Sequence, residues 1–166
     1  EHRIPTSSKL NLMTWDFIFD GVAACNDVIY ALENSKLRFD GRERVLSEIK
    51  VLRAFFYFLA ADGYNKVPFS IDKLDTSYPK PKDRTYLYGW IENEILSNIE
   101  PLADSRETNY YGRVTKGVAY TLLTKLYLNA KAWGHEPQWE KAWKAAKNVI
   151  TSGTYSLAKN YKDNFI

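Results

Sequence analysis

Residues able to carry covalent or acid–base chemistry are few in this 166-residue chain, and they are scattered. The two histidines, His2 and His135, stand alone, and neither has the spacing that holds a metal. There is no G-x-S-x-G elbow, H-E-x-x-H helix, glycine-rich phosphate loop or calcium loop. A glycosidase-type pair of carboxylates could hide among the 20 acids, because such pairs are set by distance in space and leave no spacing in sequence. The single cysteine, Cys25, excludes an internal disulfide framework and a cysteine-cluster zinc site. Catalysis therefore has little support, and no cofactor is called for.

Two arginines have environments that constrain them. Arg53 falls in LRAFFYFLAA, where a charge inside an apolar helix needs a carboxylate or backbone carbonyls as partners, which points to a structural role. Arg113, in GRVTK, precedes a helix; there it could bind an anion or make a structural hydrogen bond. Charges are balanced over the whole chain, with 23 basic and 20 acidic residues. That balance gives no sign of a nucleic-acid partner, which would need a basic stripe on one face. The tail is locally basic at Lys141, Lys144, Lys147, Lys159 and Lys162; Lys141 and Lys144 are three apart, as on the outer face of an amphipathic helix, and the set reads as a solvated face.

The elements that must position these residues follow from 3.6-residue periodicity. A first helix is expected over 14–34, with Ile18, Gly21, Val22, Cys25, Val28, Ile29 and Leu32 as its stripe. A second runs over 41–62, opened by a capping box of Asp40 and Glu43 and closed by Gly63 in the left-handed conformation. Its stripe is Val45, Ile49, Leu52, Phe56 and Leu59. Because it is apolar nearly all round from Leu52 to Ala61, it should lie between neighbours. Residues 64–84 hold prolines 68, 79 and 81 and read as a long loop with one short extended piece at KVPFSI. Loops of this length are usually functional or mobile.

A third helix is expected over 85–102, on Leu87, Ile91, Ile95, Ile99 and Leu102. A fourth spans 115–133, on Val118, Leu122, Leu126, Ala130 and Trp133, and ends at Gly134. A fifth opens at Pro137 and runs to Ser152, on Trp139, Ala142, Trp143, Ala146, Val149 and Ile150, stopped by Gly153. Trp90, Trp133, Trp139 and Trp143 are expected to pack in the core or against further chain. The fold class is all-α, built of antiparallel helix pairs with a tetratricopeptide-like rhythm but no strict repeat. No apolar run reaches the roughly 18 residues of a membrane span. The chain opens at Glu1 without an initiator Met, consistent with a removed leader or with a piece of a longer protein.

Four segments, in order, carry a resemblance. MTWDFIFDGVAACNDVIYAL resembles the W-x-x-x-Y-x-G-I-x-x-C/A-N helix of the SusD/RagB family through Trp15, Phe19, Gly21, Cys25 and Asn26. SEIKVLRAFFYFLAADGYNKVPF is similar to its L-R-A-F-x-Y-F…Y-G-x-V-P segment through Leu52, Arg53, Ala54, Tyr57, Phe58, Tyr64, Val67 and Pro68, with Asn65 where the family more often has Gly. GRVTKGVAYTLLTKLYLNA resembles its G-R-x-T-K helix, and WEKAWKAAKNVITSGTYSLAKNYKDNF its V-I-x-S-G-x-Y end.

The resemblance implies a tetratricopeptide-like, SusD-like fold and a non-catalytic outer-membrane lipoprotein. Such proteins capture oligo- or polysaccharides, in some cases peptides, and form a lid over a SusC-like TonB-dependent transporter. It also implies that residues 1–166 are one helical domain of a longer SusD-like protein, with the lipid-anchor cysteine outside this sequence. The competing reading is a helical-repeat scaffold that binds a protein partner and has no glycan site of its own.

For a sugar ligand, aromatic faces stack on ring C–H groups while polar side chains bond the hydroxyls. Two patches fit outside the helical stripes. The stretch ahead of the first helix offers His2, Arg3, Asn11 and Trp15, and the long loop offers Tyr64, Asn65, Asp72 and Tyr78. Ordinary loop packing competes at both, and Trp15 also suits a packing position at a helix start. Tyr110 and Tyr111 are similar in character and weaker.

Overall fold

The computed structural model describes residues 8–104 and 111–164. Five α-helices lie among them: α1 (Lys9–Asn34), α2 (Arg42–Gly63), α3 (Arg84–Asn98), α4 (Lys116–Asn129) and α5 (Trp139–Thr151). Strands β1 (Lys66–Pro68) and β2 (Pro81–Asp83) form a short antiparallel ladder between α2 and α3, with Val67 opposite Lys82. Single 3-10 turns follow at Lys131–Trp133 and Tyr161–Asn164. The all-α class holds, and the extended piece expected at KVPFSI is β1. Among the described residues no helix is long and apolar enough to cross a membrane.

Neighbouring helices run antiparallel, as their cross-contacts show. Trp15 meets Tyr64, Gly21 meets Phe56 and Asn26 meets Arg53, so α1 descends as α2 ascends. Arg53 meets Glu94 and Tyr57 meets Trp90, which sets α3 against the far side of α2. Helix α2 thus lies between neighbours, as an all-round apolar helix requires. At Gly21 helices α1 and α2 approach so closely that a Cβ there would overlap the Phe56 ring. The α3 stripe is buried in full, from Leu87 through Leu102.

Several expectations need correction. Helix α1 begins at Lys9, five residues before the expected start, because no breaker separates Ser8 from Thr14. The capping box does not form: Gly41 occupies the N-cap position at φ 81°, and no side chain caps the helix. Gly63 is the last helical residue of α2, and the chain leaves through an extended Tyr64. Helices α3 and α4 stop earlier than expected, at Asn98 and Asn129. Pro137 precedes the Gln138 N-cap of α5 and does not open the helix. Gly134 does end its segment, at φ 87°.

Burial corrects four stripes. On α2 the deepest residues are Val51, Ala54, Tyr57, Ala60 and Ala61, while Ile49, Leu52, Phe56 and Leu59 are only half-buried. Val28 on α1 and Val118 on α4 are exposed. On α5 only Ala142 and Ala145 are buried; Trp139, Trp143 and Ile150 are 55%, 60% and 75% exposed. Trp133 is in the core against Phe58, and Trp90 packs on Tyr57 and Phe69.

Cys25 lies buried on α1, and burial raises its thiol pKa to about 11, with Arg53 pulling weakly the other way. Only the thiolate is nucleophilic, so at pH 8 a thiol that titrates near 11 offers about 100-fold less of it than an ordinary cysteine. Reaction with a chromogenic disulfide reagent is expected to be slower than that of a free thiol by at least this factor until denaturant is added. Fast labelling of the folded chain would contradict the burial.

Candidate functional site

The ladder of β1 and β2 closes the root of a long loop, residues 69–80, and projects it beside α1. Between this loop and α1 lies an open cleft of about 280 Å³. On the helix side it is lined by Phe19, Asn26 and Asp27, and on the loop side by Ser70, Asp72, Lys73 and Asp75, with Tyr57 at its floor. Lys73 reaches across to Asp27 at 2.8 Å. Asp72 Oδ1 accepts from the Leu74 amide at 2.8 Å and Asp75 Oδ1 from the Ser77 amide at 2.9 Å, so each carboxylate also shapes its own turn.

An aromatic cluster adjoins the cleft through Phe19. The Trp15 ring lies 4.4 Å from Phe19 and 5.0 Å edge-on from Tyr64, whose hydroxyl donates to the Asn11 carbonyl at 3.1 Å. The cleft thus combines carboxylates, an ammonium and hydroxyl-sized hydrogen-bonding groups with an aromatic flank. Such a set can hold a hydroxyl-rich ligand. A second depression, of about 260 Å³ between α2, α4 and α5, is lined chiefly by Phe55, Val118, Leu122 and Val149 and is too apolar for that task.

Beneath the cleft a buried polar network ties three helices to the loop. Arg53 is 4% exposed. Its Nη1 donates to Asn26 Oδ1 at 2.7 Å and to the Ile71 carbonyl at 3.1 Å, and its Nη2 pairs with Glu94 Oε1 at 2.5 Å. The carboxylate and the carbonyl that the sequence demanded for Arg53 are both present. The Tyr57 hydroxyl donates to the Ser70 carbonyl at 2.9 Å; burial pushes its pKa up to about 12, against that hydrogen bond and the Arg53 charge. Of the two readings of Arg113 the structure supports the structural one: Nε and Nη2 donate to the buried Glu48 carboxylate at 3.0 and 2.7 Å.

The expected site residues scatter. His2 and Arg3 lie outside the described residues, as does Tyr110. Asn11 and Trp15 belong to α1 itself and not to a segment ahead of it. Asn11, Trp15 and Tyr64 are brought together, but as half-buried packing. Asp72 does line the cleft. Asn65 is exposed and offers its carbonyl to the Arg84 amide. Tyr78 is 95% exposed near the end of the loop, shortly before β2, and Tyr111 is likewise exposed. Asp27, Lys73 and Asp75 were not anticipated, and no spacing could have paired positions 27 and 73. Among the described residues no group of three or more His, Cys, Asp or Glu side chains could hold a metal.

No protein-family model matches the chain. The starch-binding protein SusD of Bacteroides thetaiotaomicron is 36% identical over 123 residues, which cover 74% of this chain and 22% of that protein. A surface glycan-binding protein A of the same species, solved in complex with laminarihexaose, superposes with a TM-score of 0.77 at 25% identity, over 92% of this chain and 32% of its own. A SusD-like carbohydrate-binding protein of Bacteroides fragilis superposes with a TM-score of 0.83 over 96% of this chain and 31% of its own; at 19% identity it speaks for the fold alone. The chain therefore spans about a fifth to a third of the length of these relatives.

Proposed function

The chain belongs to the SusD/RagB family, and from that premise we propose that it is the helical part of a longer, non-catalytic glycan-binding protein of the bacterial outer membrane. In this reading the protein captures an oligo- or polysaccharide and passes it to a SusC-like TonB-dependent transporter, without chemistry. The observation that carries it is the 36% identity to a starch-binding protein, joined to the same fold as a laminarihexaose complex.

The cleft is the place on this chain where the chemistry suits. Asp72 and Lys73 would bond hydroxyls from the loop, Asp27 from the helix, and Tyr78 offers an exposed ring on the same loop, close to β2. Outer-membrane anchoring would come from a lipid on chain beyond this sequence.

The test is calorimetric titration of the full-length protein with soluble starch, laminarin and a wider polysaccharide panel, with Asp72→Ala and Tyr78→Ala alongside. Each substitution is expected to weaken binding about tenfold, the scale of one lost charged hydrogen bond or stacking contact. Binding that survives both would move the site off this loop. No binding to any panel member would overturn the glycan reading.

That last outcome would promote a protein-partner scaffold, which one observation favours in its own right. Trp139, Trp143 and Ile150 recur at helical spacing on α5 and stand exposed, an apolar stripe of the kind that helical layers present to other proteins.

A further inference from the structure

The cleft has one fixed wall, α1, and one wall made of loop 69–80, so its shape depends on what holds the loop. Past Ile71 the ties given above are local or exposed: two aspartate turns, and the Lys73–Asp27 pair between side chains 42% and 60% exposed. Exposed pairs of this kind fix little.

The root of the loop is held differently. The Ser70 carbonyl accepts from Asn26 Nδ2 at 3.0 Å and from the Tyr57 hydroxyl at 2.9 Å, and the Ser70 amide donates back to that hydroxyl at 2.9 Å. The next carbonyl, of Ile71, accepts from Arg53. Side chains of α1 and α2 thus converge on the backbone of two consecutive residues, and α3 completes the set by supplying Glu94 to orient the guanidinium. The planar fork of arginine allows one group to serve an amide oxygen, a backbone carbonyl and a carboxylate at once. Phe69 adds an apolar anchor, its ring 5.1 Å from both Tyr57 and Trp90.

We propose that Arg53 and Glu94 are positioning residues for ligand binding: with Asn26 and Tyr57 they clamp the Ser70–Ile71 backbone, and so fix where Asp72 and Lys73 stand opposite α1. The inference rests on the glycan reading of the cleft. Arg53 and Glu94 do not line the cleft, so whatever they contribute to affinity passes through the loop. A supporting layer of this kind makes a loop-built site specific, because a polar group displaced by an ångström no longer meets its partner. The network is shared, with Asn26 accepting from Arg53 while donating to Ser70, so weakening one member loosens the others.

A merely structural network predicts something else. Its loss would lower stability but leave affinity intact in molecules that remain folded. The discriminating experiment uses the full-length protein with Glu94→Gln and, separately, Arg53→Lys, because neither residue lines the cleft. Both substitutions nearly preserve side-chain size, and either alone suffices if the other fails to fold. Hydrogen exchange is followed at the amides of residues 70–75 and, for comparison, at those of α2 and α3. Affinity for soluble starch and laminarin is measured on the same samples, well below their unfolding temperatures.

The expected result is faster exchange confined to the loop, with affinity for the bound glycan reduced about tenfold. Loop amides that exchange as in the unaltered protein would overturn the proposal, because the network would not be holding the loop. Faster loop exchange with unchanged affinity would overturn it too, while leaving the glycan reading in place. An unaltered protein that binds no polysaccharide of the panel would remove the reading and the inference together.

Discussion

Arg53→Ala is expected to destabilise the protein by about 3–5 kcal/mol, the cost of breaking a buried pair while leaving its partner behind. The Glu94 side chain is only 14% exposed, and without the guanidinium its charge has no counter-ion at 2.5 Å. Asn26 Oδ1 and the Ile71 carbonyl lose their donor in the same step. Trp90 loses the cation 5.7 Å from its ring. Removing both charges together is a different matter: an Arg53→Met, Glu94→Leu double variant should recover part of the loss, because no charge is then stranded.

Urea denaturation followed by far-ultraviolet circular dichroism measures both. A useful contrast is Lys50→Ala, which removes a pair to Glu33 whose side chain is 47% exposed and is expected to cost at most about 1 kcal/mol. If Arg53→Ala falls as close to the unaltered protein as Lys50→Ala does, the buried network is not a stabilising element.

Arg53 also marks where sequence reading stops. That a charge in LRAFFYFLAA needs buried partners follows from the residue alone. That one partner is Glu94, 41 positions along, does not, because the pairing depends on how α3 returns against α2. Asn26 is an intermediate case. It falls beside Cys25 on the α1 stripe, and a polar side chain at a core position announces a hydrogen bond without naming the acceptor, here Ser70. Asp27 and Lys73 carried no such mark, since an exposed aspartate and an exposed lysine are ordinary on any surface. The cleft they flank forms where the short ladder and the contacts at Ser70 and Ile71 bring the loop back beside α1.

Helix ends and helix faces failed for separate reasons. Asp40 and Glu43 have the capping-box spacing, but Gly41 reaches the left-handed region at little cost, and the chain enters α2 through it instead. The α2 face was misjudged because periodicity locates a stripe only where a polar face contrasts with it. From Leu52 to Ala61 that contrast is nearly absent. What remains legible is that the helix is enclosed, not which side lies deepest. For α5 the opposite holds: the contrast is strong, yet the stripe's large residues face outward and only Ala142 and Ala145 touch the core.

Two isoleucines turn that difference into a measurement. Ile91 on α3 and Ile150 on α5 each stand on an apolar stripe, and the pattern gives them equal claims to the core. In the structure Ile91 is 0% exposed and Ile150 is 75% exposed. Ile91→Ala removes buried methyl and methylene groups from the hydrophobic core, where relaxation can only partly fill the space. The expected cost is about 2–5 kcal/mol. Ile150→Ala removes the same atoms from a surface that is mostly wet, and alanine is the better helix former, so its effect should lie within about 0.5 kcal/mol of zero. Both variants are compared by urea denaturation on the 166-residue chain. A large loss at Ile150 would mean that the α5 stripe is covered in solution, by chain or by a second molecule, and that its exposed tryptophans are part of a buried surface. A small loss at Ile91 would contradict the packing of α3 against α2, on which the position of Glu94 and the loop it helps to hold depends.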